Sequence, residues 1–255
     1  MNSLRAFVKV SLLIVYTLLL YAVYCVVAGF LKILRLSNEE WRNLFMNVWS
    51  VGVSHILNIR IEVEGTPPAP PFFLVSNHLS YIDIVPLFLN LKCTFVAKKE
   101  VRNWPVLGFM VKSVGVYFVD RTKKRDVKRV NELISGGMNE KQGIVVFPEG
   151  TTSGGADILP FRPPLLQYSA STNTPVHYCA IRYETDEKHG DFPAKKSVCF
   201  YGARDSFHKH VLKLAGNKRI YCKITFCESP LHENDRKVLA RKLEDRVRSI
   251  FVPMS

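Results

Sequence analysis

The sequence predicts an α/β domain with a central, mostly mixed sheet flanked by helices, preceded by an N-terminal membrane-attached helical pair. Three observations carry this. The apolar runs Phe72-Phe-Leu-Val75 and Ile144-Val-Val-Phe147 have the length and composition of short buried strands. Each leads at once into a turn of polar residues, the pattern of a strand that delivers side chains to a loop. The stretch from Val10 to Leu31 carries no charged residue.

Taken in chain order, that uncharged stretch comes first. About 22 residues at about 1.5 Å each span about 33 Å, enough to cross a hydrocarbon core or to lie obliquely in it. The run is too long for the apolar core of a signal peptide, and no clean small-x-small cleavage site follows it. Asn38-Glu-Glu-Trp41 then has the cap and acidic first turn of a second helix, with Trp41, Leu44, Phe45, Val48, Val51 and Leu57 at broadly helical spacing. That apolar face suits a membrane interface and a protein core equally. Ile59-Arg-Ile-Glu-Val63 reads as a strand, and Gly65-Thr-Pro-Pro-Ala-Pro-Pro71 as a stiff connector. Residues 1–58 are therefore expected to be membrane-associated helices, and 59–255 one α/β domain of ordinary size.

The chemistry is expected after the two short strands. Asn77-His-Leu-Ser-Tyr-Ile-Asp83 places a histidine five residues before an aspartate. On one continuous helix the two side chains would point about 140° apart, so they meet only if the chain turns between them. Ser80 supplies that turn as a helix N-cap, leaving His78 in the loop ahead of it. A carboxylate on one imidazole nitrogen fixes the tautomer and lets the other nitrogen take a proton near neutral pH. Taken alone, the segment is an ordinary cap with a loop histidine. The block Phe147-Pro-Glu-Gly-Thr-Thr-Ser153 changes that, because it sets Glu149 at the mouth of a second strand-ending turn.

Other classes of site are excluded by what the sequence lacks. The six cysteines lie at 25, 93, 179, 199, 222 and 227 without a Cys-x-x-Cys pair or zinc-ligand spacing, so they read as mostly buried free thiols and no metal is expected. There is no Walker loop, no dinucleotide glycine fingerprint and no Gly-x-Ser-x-Gly. With 35 Lys and Arg against 22 Asp and Glu, the net charge is +13. Such a surface attracts anionic lipid and acidic acyl carriers. No nucleic-acid-binding motif accompanies the charge, and no nucleic acid partner is expected.

Four blocks in order, Asn77-His78 to Asp83, Gly115-Val-Tyr-Phe-Val-Asp-Arg121, Phe147-Pro-Glu-Gly-Thr151 and Thr174-Pro-Val176, resemble the motifs of the glycerolipid (lysophospholipid) acyltransferases. The type member of that family is bacterial 1-acyl-sn-glycerol-3-phosphate acyltransferase. The resemblance covers about residues 60 to 185. It implies that His78 is the general base for an acceptor hydroxyl and that Asp83 orients it. It assigns Arg121 and Lys98 to the acceptor's phosphate, Glu149, Gly150 and Thr151 to acceptor binding, and Pro175 to the acyl-donor side. The co-substrate it implies is an acyl-CoA or acyl-carrier protein, with no separate cofactor. The implied partners are a lysolipid and the lipid bilayer. The implied location is the bacterial inner membrane, with the catalytic domain facing the cytoplasm, although Arg5, Lys9, Lys32 and Arg35 flank the apolar run on both sides.

One stretch departs from the family pattern. Where many phosphatidate-forming members have a glycine after a Phe-Lys or Phe-Arg pair, this chain reads Phe161-Arg-Pro-Pro-Leu165. Proline cannot adopt the positive φ open to glycine. The acceptor expected first is 1-acylglycerol 3-phosphate, giving phosphatidate. Ser153-Gly-Gly155 with Leu159-Pro-Phe-Arg162 also looks like relatives that acylate lyso-ornithine lipid. A non-catalytic lipid-binding protein is the alternative from another class, and the intact His78 and Asp83 weigh against it.

Overall fold

The computed structural model describes residues 3–103, 107–201 and 206–254. Two helices lead, α1 (Ser3–Ile33) and α2 (Glu39–Leu57), followed by β1 (Ile59–Glu64), β2 (Phe73–Ser76), α3 (Ile84–Asn90), β3 (Cys93–Lys98) and α4 (Leu107–Ser113). Next come β4 (Tyr117–Val119), α5 (Lys124–Gly137), β5 (Gly143–Val146), α6 (Gln167–Thr172) and β6 (Val176–Thr185). The chain ends with α7 (Ala194–Ser197), α8 (Phe207–Gly216), β7 (Ile220–Phe226) and α9 (Arg236–Ile250).

The strands form a seven-stranded sheet in the order β1-β7-β6-β2-β5-β3-β4. From β6 through β4 every pairing is parallel; β7 runs antiparallel to β6, and β1 runs parallel to β7. The sheet is mixed, as the sequence predicts. Its central strands are buried on both faces, which is why they read as unbroken apolar runs. Phe73, Val75, Ile144 and Val146 pack with Val130 and Ile134 of α5 and Leu239, Leu243 and Val247 of α9. Leu74, Phe95, Val145 and Ile181 pack on the other face with residues of α2, α3 and α8.

Helix α1 is long and apolar enough to cross a membrane. It is also tied to the domain along its length. Lys9 Nζ donates to the carbonyls of Leu57 (3.0 Å) and Asn217 (2.7 Å), which closes the ends of α2 and α8. Farther along, Trp49 Nε1 donates to Thr17 Oγ1 at 3.1 Å and the Tyr24 hydroxyl donates to Ser113 O at 2.9 Å. The opposite side, with Leu12, Val15, Leu19, Val26 and Phe30, is exposed. Helix α2 divides in the same way: Phe45, Val53 and Leu57 enter the core, while Leu44, Val48 and Val51 remain exposed. Asn38 occupies the N-cap position of α2 but makes no side-chain cap bond; Ser37 Oγ accepts from Glu39 N instead, at 3.4 Å. Cys25 is exposed, whereas Cys93, Cys179, Cys199, Cys222 and Cys227 are buried free thiols.

Candidate active site

Parallel register brings the sequence motifs to one edge of the sheet. Val75 pairs with Val146, Phe95 with Val145, and Lys98 with Val119. The segments that follow β2, β4 and β5 therefore emerge side by side at the strands' carboxyl ends, and Lys98 closes β3 there. In an open α/β sheet this edge is where ligands bind.

His78 and Asp83 meet across the tight turn that the spacing requires. Ser80 is the extended N-cap of a 3-10 turn, Tyr81–Asp83, that runs into α3. Asp83 is fully buried, and its Oδ2 accepts from His78 Nδ1 (2.8 Å), Leu79 N (2.7 Å) and Ser80 N (3.0 Å). Three donors on one oxygen fix the carboxylate, and the carboxylate fixes the imidazole. With the Nδ1 proton given to Asp83, Nε2 carries the lone pair, a tautomer assigned from the hydrogen-bond network. The His78 side chain is 21% exposed. Its ring lies on Phe147, with centroids 4.0 Å apart and planes 12° apart, and Phe147 stacks in turn on Phe95.

Glu149 does not stand open at the mouth of its turn. It is 2% exposed, and both carboxylate oxygens are occupied: Oε1 accepts from His78 N at 2.6 Å and Oε2 from Leu159 N at 3.0 Å. Burial pushes its pKa up to about 8, against the pull of those two backbone donors. Gly150 follows with φ of +77°, and a Cβ there would strike the Arg121 guanidinium. Its carbonyl accepts from Arg121 Nη1 at 2.5 Å. Thr151 is exposed.

Arg121 is partly buried, and its Nε has no hydrogen-bond partner among the described residues. Burial, then the nearby Arg162 charge, lowers its pKa, with Glu100 partly offsetting them. Lys98 is lowered by burial, then by Arg121, with Arg162 contributing. Three cations thus share one corner of the sheet edge, an arrangement that favours an anionic ligand. Pro175 lies elsewhere. It precedes Val176, which pairs with Phe73 at the amino end of β2, so it sits at the sheet edge opposite His78.

Sequence reasoning gave no role to several residues that the fold brings in. Asn77 is fully buried; its amide donates to Ile181 O (2.9 Å) and accepts from Ile181 N (2.7 Å), extending the β2–β6 ladder by a side chain. Ser153 N donates to His78 O at 2.7 Å. Arg162 lies beside Gly150 at the N-cap position of the 3-10 turn Pro163–Leu166, without a side-chain cap bond, and Pro163 and Pro164 occupy the first positions. That is a placement in which proline is favoured. The order of the Phe-Arg-Pro-Pro run could have suggested such a start.

A family model described as Acyltransferase matches residues 59–182. The chain is 29% identical over 215 residues to the 1-acyl-sn-glycerol-3-phosphate acyltransferase of Neisseria meningitidis, covering 83% of this chain and 82% of that one. It is also 29% identical over 201 residues to the lyso-ornithine lipid O-acyltransferase of Pseudomonas aeruginosa, covering 78% and 75%. The crystal structure of the 1-acyl-sn-glycerophosphate (LPA) acyltransferase PlsC from Thermotoga maritima shares the fold, with a TM-score of 0.61, 20% identity, and coverage of 98% of this chain and 99% of that one.

Proposed function

We propose that this chain, which belongs to the acyltransferase family, uses His78 as the general base in transfer of a fatty acyl group from a thioester to the hydroxyl of a lysolipid. The observation that carries this is the His78–Asp83 pair: one imidazole nitrogen is held at 2.8 Å by a buried carboxylate, while the ring is partly exposed at the ligand-binding edge. In the reaction Nε2 takes the hydroxyl proton as the oxygen attacks the thioester carbonyl. The tetrahedral oxyanion then collapses, the C–S bond breaks, and the thiol leaves with the proton returned by the imidazolium.

The acceptor we assign is 1-acylglycerol 3-phosphate. Lys98, Arg121 and Arg162 supply positive charge beside the histidine, suited to a phosphate monoester, and Gly150 provides the link between the two halves of the site. The relatives include enzymes named for lyso-ornithine lipid as well, so the decisive experiment is product analysis by mass spectrometry with a panel of lysolipids. Phosphatidate formed in preference to other products supports the assignment, and preference for a phosphate-free lysolipid refutes it. Offering both acyl-CoA and acyl-carrier protein identifies the donor, since both are acidic enough to be drawn to a chain of net charge +13.

Attachment is proposed to be through α1 and the exposed side of α2, with the domain-facing side of α1 already engaged by hydrogen bonds. The proposed site of action is the cytoplasmic face of the bacterial inner membrane. Apolar burial survives a high-salt wash that screens surface charge, so the protein stays with membranes after washing; its release would remove this assignment.

A further inference from the structure

The turn after β5 grips the peptide of His78 from both sides. The β2–β5 pairing ends at Val75 and Val146, and His78 and Glu149 each lie three residues farther on. Side chain and turn replace the ladder there. The N–H of His78 donates to Glu149 Oε1 at 2.6 Å, and its carbonyl accepts from Ser153 N at 2.7 Å. The other oxygen of Glu149 is bound to Leu159 N at 3.0 Å, which anchors the carboxyl to the far side of the same loop. That far side is itself fixed to α9, where Phe161 N donates to Glu244 Oε2 at 3.0 Å.

From this geometry we infer that Glu149 is a positioning residue for His78 and does not bind the acceptor. The inference rests on the proposed acyl transfer and revises one residue's part in it. A carboxyl that is 2% exposed, with each oxygen already accepting from a backbone N–H inside the fold, is shut off from a glycerol hydroxyl by burial. What it controls is the place of the imidazole. Asp83 sets the ring's rotation through Nδ1, while Glu149 and Ser153 set where the ring's own backbone stands. A shift of about 1 Å in a reacting group costs about 10²-fold in rate.

The two roles separate kinetically. A group that binds acceptor equally in ground and transition states raises KM when removed, whereas a group that only places the base lowers kcat. Glu149→Gln keeps the volume but presents an NH₂ to one of two N–H donors, and Glu149→Asp keeps the acid but shortens its reach. Both variants are to be compared with wild type for kcat, for acceptor KM, and for equilibrium binding of 1-acylglycerol 3-phosphate in mixed micelles. The expected result is a fall in kcat of about 10²-fold, with acceptor KM and binding within about twofold of wild type and a cooperative unfolding transition retained. Weakened acceptor binding with kcat preserved overturns the inference, as does loss of the folded state in both variants. A wild-type protein that transfers no acyl group to any lysolipid would instead strike the proposed function itself.

Discussion

The imidazole of His78 lies flat on the ring of Phe147, 4.0 Å between centroids, while its Nδ1 is held by Asp83. One residue therefore limits tilt and the other limits rotation. Phe147 is the last apolar residue of the second short run, and its register beside β2 is what brings it under the histidine. Replacing Phe147 with Leu removes the flat support. A ring contact worth about 0.5–1.5 kcal/mol corresponds to a fall in kcat of about 2- to 12-fold, with Phe147→Tyr much closer to wild type. Equal activity in the Leu and Tyr variants would show that the stack does not govern the ring's placement.

His78→Ala removes the proposed base, and turnover should fall by about 10²–10⁴ while the protein still folds and reaches the membrane. Asp83→Asn should also be severely impaired, because an amide neither stabilises the imidazolium nor enforces the tautomer. Steady-state rates on folded, membrane-bound preparations test both. Wild-type turnover by His78→Ala would end the mechanism.

Glu149 makes stability depend on pH in a defined direction. Burial raises its pKa from 4.5 to about 8, aided by the charges of Asp83 and Glu244 and opposed by the two backbone donors. Because the folded pKa lies above the unfolded one, the native state holds a proton that the unfolded chain has released between these values. The stability contributed is present below about 4.5 and is lost as pH rises through about 8. Thermal unfolding of wild type and Glu149→Gln in detergent should show the wild-type midpoint falling relative to the variant from pH 5 to pH 8.5. A constant difference across that range would refute the shift.

The local parts of this site were legible in the sequence because they depend on short range. His78 and Asp83 are joined by a turn that five residues can specify, and the strands before His78 and Glu149 declare themselves by apolar length. The register between β2 and β5 is not local. Nothing near Glu149 reveals that it lies against the His78 backbone 71 residues away, so its place at the mouth of a turn is legible in the sequence and its burial is not. The place of Pro175 is non-local in the same manner: its motif follows in order, but its strand enters the sheet from the edge opposite His78. Helix α2 was ambiguous because membrane and core call for the same apolar stripe, and the fold buries one side and leaves the other exposed.

The acceptor assignment is tested at Arg121. Its guanidinium is anchored through Nη1 to Gly150 O, so the chain turn that carries Glu149 also aims this cation. The buried Nε has no partner among the described residues, and the like charges of Arg162 and Lys98, offset in part by Glu100, act on the guanidinium, a repulsion that a bound phosphate would relieve. Arg121→Ala therefore loses a charge-assisted contact worth about 1.5–3 kcal/mol, and the apparent KM for 1-acylglycerol 3-phosphate should rise by about 10- to 150-fold while the KM for the acyl donor changes little. Arg121→Lys recovers only part of this, since an ammonium keeps the charge without the planar fork that meets both Gly150 and a phosphate. For a phosphate-free lysolipid the same substitutions should leave KM nearly unchanged, so the ratio of the two effects reads the head group directly. Equal losses on both acceptors would place Arg121 in support of the Gly150 turn rather than in contact with phosphate.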